Sequence, residues 1–107
     1  MMRPAPEIWH DLELCQAERA QLRRRLGELR EDYTNHDRSV RVLRNQTRRW
    51  AGTVWGRQHG LDAIRHQNAL DAVRAEAREI EREIRRVVDR EHELLEEVSD
   101  TPAGRAS

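Results

Sequence analysis

Between residues 8 and 50 an apolar or semi-apolar side chain recurs at alternating steps of three and four: Ile8, Leu12, Cys15, Leu22, Leu26, Leu29, Tyr33, His36, Val40, Leu43, Thr47 and Trp50. Only Arg19 interrupts the series. This is the seam of a coiled-coil-like helix. A second series follows, through Ala63, His66, Leu70, Val73, Ala77, Ile80, Ile84, Val87, Glu91, Leu94 and Val98. Its outer face carries Glu81 with Arg85 at i+4, and Glu79 with Arg82 and Glu83 with Arg86 at i+3, pairs that support an exposed helix.

The two series are separated by AGTVWGRQHG, residues 51–60, in which Gly52, Gly56 and Gly60 accompany Thr53 and Val54, all poor helix formers. The chain is expected to turn there. Two amphipathic helices joined by a short loop pack antiparallel, so the expected fold is all-α: a long helical hairpin with a helix over 7–50, a turn over 51–60 and a helix over 61–98. At the usual helical rise each arm spans about 55 to 65 Å. Pro6 and Glu7 suit a first turn, since proline lacks an amide that would be unpaired and an acid favours the positive helix end. The stretch DYTNHDRS, residues 32–39, holds side chains that compete for backbone hydrogen bonds. The seam nevertheless crosses it without a phase slip, which favours one continuous helix. Residues 1–6 and 99–107, with their prolines and small polar residues, read as flexible tails.

The interior of such a hairpin is thin. The 107 residues include three Trp, one Tyr and no Phe, and 37% of them are charged, so the chain cannot fill the core of a compact enzyme around an enclosed cleft. No nucleophile, base and acid can be placed around a pocket, and neither enzymatic activity nor a small-molecule substrate or cofactor is expected. Cys15, the single cysteine, allows no internal disulfide and reads as a small buried hydrophobe. No long uncharged apolar run suits a spanning helix or a leader, so no membrane partner and a cytoplasmic setting are expected.

Charge is balanced at 20 basic and 20 acidic residues, and every basic residue is Arg. Its distribution is uneven. Residues 38–57 hold six Arg and no acid, whereas residues 76–100 hold ten acids against five Arg. A hairpin therefore has a basic tip and an acidic open end. At the tip, Arg41, Arg44, Arg48, Arg49 and Arg57 stand with Trp50 and Trp55. Planar cationic forks beside flat aromatics suit an acidic protein partner, or phosphates and bases of a nucleic acid; the alternative is a turn that the arginines simply solvate.

A two-helix hairpin covers each seam on one side only, so surplus apolar residues point to where partners dock. Leu14, Val88 and Leu95 are the prominent ones off the seam, with Trp9 nearby. For a turn centred near residue 55 they collect at the acidic open end, which is expected to self-associate as a helical bundle, such as a four-helix dimer, unless they merely broaden the hairpin's own core. The expected role is that of an adaptor, scaffold or assembly component. The same facing rule sets His36 near Ala75 and His66 near Asn45, about 13 Å out of register, so the two are not expected to share an ion, and no metal site is expected. Protonation of these seam histidines would loosen the hairpin in acid.

Trp50, Ala51 and Gly52 spell W-x-G between two helices in a chain of about a hundred residues. This resembles the WXG100 proteins, small helical hairpins exported by type VII secretion systems, usually as dimers. The resemblance implies an exported dimer. The family's C-terminal Tyr-x-x-x-acid signal has no counterpart here, where only His92 and Glu96 have that spacing.

Overall fold

A computed structural model describes residues 3–100. Two helices account for nearly all of them, α1 over Ala5–Arg49 and α2 over Val54–Asp100, with no strand among the described residues. The fold is the all-α helical hairpin. The chain divides into two compact units, one of Met1–Arg25 with Ile80–Ser107 and one of Leu26–Glu79.

Helix α1 starts earlier than its proline suggested. The Pro4 carbonyl accepts the Glu7 and Ile8 amides at 3.1 and 3.4 Å, which places Ala5 and Pro6 in the first turn. Arg3 just before it is an anchor: its guanidinium pairs with Asp11 and, through Nε at 3.0 Å, with Glu97. The expected tail over 1–6 is corrected accordingly, with Met1 and Met2 outside the described residues. At the other end α2 runs on through Ser99 and Asp100, and the Ser99 hydroxyl donates to the Leu95 carbonyl at 3.1 Å. The remainder of the expected 99–107 tail lies outside the described residues. Through residues 32–39 α1 is unbroken, because Thr34 and Ser39 turn their hydroxyls back onto the carbonyls of Arg30 and Asn35 at 3.0 and 3.1 Å.

The turn is much shorter than the glycines implied. Only residues 50–53 separate the helices, and the expected turn over 51–60 is corrected by the chemistry of Thr53. Its hydroxyl accepts the Gly56 amide at 3.1 Å while its carbonyl accepts the Arg57 amide at 3.2 Å, so Thr53 is the N-cap of α2. The hydroxyl also donates to the Trp50 carbonyl at 2.6 Å, tying the cap to the end of α1. Gly52 takes φ 80, a left-handed conformation that favours glycine. Gly56 is needed for a different reason: a Cβ there would lie 2.2 Å from the Trp50 carbonyl oxygen.

In the first unit the seam forms an apolar cluster of Ile8, Leu12, Leu94 and Val98, with Cys15 packed against it. The lone charge in each seam is explained by the other. Arg19 donates from Nη1 to Glu91 Oε2 at 2.9 Å, and Glu91 is 8% exposed. Its second oxygen, Oε1, is buried without a hydrogen-bond partner. In the second unit Leu29, Val40, Ala63 and Leu70 are buried, and polar side chains join the helices: Arg44 to Gln67 at 3.3 Å, Arg74 to the Tyr33 hydroxyl, and His36 to His66.

Candidate functional site

The turn of the second unit is the most chemically distinctive surface, because α1 ends on a pair of arginines and α2 begins on a pair of apolar residues. Arg48 and Arg49 occupy the last turn of α1, where cations complement the helix carbonyl end. Arg41, Arg44 and Arg48, at i, i+3 and i+7, share one face of that helix. Arg41 is held by Asp37 at 3.0 Å and Arg44 by Gln67, while Arg48 and Arg57 make no ion pair among the described residues. The Arg49 guanidinium lies 5.9 Å from the Trp50 ring centroid, a cation–π distance.

Trp50 continues the seam in sequence but not in space. Helix α1 ends at Arg49, so the indole falls beyond the last helical residue, 43% exposed, with Nε1 donating to Gln46 Oε1 at 3.1 Å. Trp55, in the first turn of α2, is 67% exposed. Both indoles thus present flat apolar surface beside cations, with no acid in residues 38–57 to neutralise them.

Sequence reasoning missed the apolar residues that flank this cluster. Val54, Leu61 and Ile64 are exposed, and at i, i+7 and i+10 they form a stripe on the face of α2 turned away from the buried Ala63 and Leu70; Val42 is exposed on α1. The expectation that surplus apolar surface collects in the first unit is therefore corrected, since among the described residues the second unit carries six of the nine large apolar side chains that are exposed. Val54 was hidden by reading residues 51–60 as loop. The signal that reveals the stripe is Thr53 as a cap, because a helix beginning at Val54 puts Val54 and Leu61 on one face.

In the first unit Trp9, Leu14 and Leu95 are exposed and Val88 is half-buried. Val88 and Leu95 lie one heptad apart on one stripe. Trp9 and Leu14 are separated by about 140° around α1, so the four do not make one patch. Leu14 follows Asp11 at i+3, on the flank that Arg3 closes. Arg3 holds the Asp11 and Glu97 carboxyls below their ordinary values of 3.8 and 4.5 by hydrogen bonding. Burial, aided by the charge of Glu91, pushes the Cys15 thiol above its ordinary value of 9.0.

The seam histidines require the plainest correction. His36 Nδ1 and His66 Nδ1 are 2.8 Å apart across the helices of the second unit. The turn lies over 50–53, ahead of the residue 55 expected, which moves the position facing His36 from Ala75 to within about one helical turn of His66 and lets the two side chains meet. Among the described residues there is no group of three or more His, Cys, Asp or Glu able to hold a metal ion, and no helix long and apolar enough to cross a membrane.

These features define an all-α helical hairpin with an exposed arginine and tryptophan turn. No protein-family model matches the chain, and neither the curated proteins nor the solved structures yield a match to it.

Proposed function

We propose that the chain is a non-enzymatic helical-hairpin interaction protein, an adaptor or assembly component, that uses the turn of its second unit to grip an acidic protein surface. The observation that carries this reading is the exposure of Trp50 and Trp55 beside Arg48, Arg49 and Arg57 in a segment without acids. Arginine forks pair with carboxylates two at a time, and the indoles supply apolar area that is largely desolvated only when a partner covers it. Val54, Leu61 and Ile64 extend that area along α2 and favour a partner with an apolar ridge bordered by acids over a uniformly charged polymer. Self-association through Trp9, Val88 and Leu95 of the first unit completes the proposal, since a helix pair gains stability by covering its remaining apolar stripe.

The test is capture of partners from the source cell by the wild-type protein and by an Arg48→Ala, Arg49→Ala, Trp55→Ala variant, followed by mass measurement of the native assembly. Loss of an acidic protein partner in the variant, with the homo-oligomer retained, supports the reading. Retention of the same partner by the variant overturns it. A partner that is nucleic acid, with affinity falling steeply as salt is added, replaces it with the nucleic-acid reading.

A further inference from the structure

We infer that His36 and His66 form a two-imidazole clip for a divalent transition-metal ion of the borderline class, such as Ni(II), Cu(II) or Zn(II), joining the two helices of the second unit. The two Nδ1 atoms converge to 2.8 Å, with ring centroids 5.1 Å apart and the rings tilted by 48°. Two nitrogens bound cis to one ion, each at about 2.0 to 2.1 Å, stand roughly 2.9 to 3.3 Å apart. The rings need separate by only a few tenths of an ångström to admit the ion between them.

The pair is accessible. His36 and His66 are half-buried and line an open cleft together with Leu43, Asp62, Arg65 and Ala69. Asp62 precedes His66 by one helical turn and lines the cleft without joining the two imidazoles as a third ligand. Its carboxylate is engaged by Gln58 Nε2 at 3.2 Å and Arg65 Nη1 at 3.6 Å. Arg65 opposes a cation in the cleft, so the site is one of modest affinity, with water completing the coordination. A pair of imidazole nitrogens suits Ni(II), Cu(II) or Zn(II) and does not suit Ca(II) or Mg(II), which take oxygen ligands.

The tautomers define what the ion displaces. Without metal one ring donates from Nδ1 to the other, so a proton sits between them. With metal both rings carry their hydrogen on Nε2 and present both Nδ1 lone pairs to the ion. The clip stands independently of any partner of the arginine and tryptophan turn.

The experiment is thermal unfolding of the full chain with ZnCl2 or NiCl2 in a non-chelating buffer at pH 7.5. An ion at about ten times its dissociation constant is expected to raise Tm by roughly 5 °C, reversed by EDTA. His36→Ala and His66→Ala should each abolish the rise. Where either alanine variant fails to fold, substoichiometric Cu(II) added to the wild-type protein decides by NMR: the imidazole signals of His36 and His66 should broaden before those of His10, His59 and His92. Equal broadening of all five, or no metal-dependent change in Tm, overturns the proposal and leaves the pair as a hydrogen bond alone.

Discussion

The two units are built on the same repeat and use it differently. In the first, Ile8 and Leu94 are fully buried, the helices are tied by Arg3 to Glu97 and Arg19 to Glu91, and few large apolar residues remain outside. In the second, Leu29 is enclosed as well, but seam positions are also taken by His36, Thr47 and His66, hydrogen bonds between partly exposed side chains join the helices, and apolar surface is displayed. Burial of apolar area is what stabilises a helix pair, whereas unburied area and unpaired cations are what a partner can use. On the proposed function, cohesion falls to the first unit and contact to the second.

The sharpest way to break that assignment is a pair of truncations. Leu94→Ala should cost about 3 to 4 kcal/mol, as expected for a fully enclosed leucine, whereas Leu43→Ala, half-buried in the second unit, should cost less than about 2 kcal/mol by urea unfolding. Equal costs would erase the distinction. A second contrast lies at the turn. Gly56→Ala should lose about 2 to 3 kcal/mol, because its methyl would overlap the Trp50 carbonyl, while Gly60→Ala meets only the Thr47 side chain at 3.7 Å and should be neutral or stabilising by about 0.5 kcal/mol.

Within the first unit, Arg19→Ala should destabilise by about 2 kcal/mol by leaving Glu91 buried without its cation. Replacing both Arg19 and Glu91 by Leu should be neutral or stabilising, because the desolvation of the pair disappears with it. The smallest effect is that of pH. Folding lowers the Asp11 and Glu97 carboxyls, so their contribution is complete above their ordinary values of 3.8 and 4.5 and is lost as pH falls through the lower folded values. Unfolding midpoints of the wild type and an Arg3→Ala variant should therefore differ at pH 7 and converge as pH falls through the lowered folded values.

The hairpin was legible because a 3.5-residue repeat survives any local ambiguity. Every seam residue from Ile8 to Thr47 and from Ala63 to Val98 is buried or half-buried. Trp50 is the exception, since helix termination, which periodicity does not report, removes it from the seam. What the repeat cannot supply is the centre of the turn. Thr53 is a poor helix former by residue type, yet its side chain is a cap, and Gly56 acquires its role from a carbonyl six residues earlier in the chain. That displacement hid the His36 and His66 pair and the Val54, Leu61 and Ile64 stripe together. The arginines and indoles of the turn were readable by residue type alone, because terminal and turn positions leave long side chains in solvent.

Hydrogen exchange of the free protein, resolved along the chain, tests the division of roles most directly. The account predicts slowest exchange at Ile8 to Cys15 and Val87 to Val98, with faster exchange through Leu43 to Ile64. Uniform protection along both helices, or slower exchange around the turn than in the Ile8 and Leu94 cluster, would contradict it.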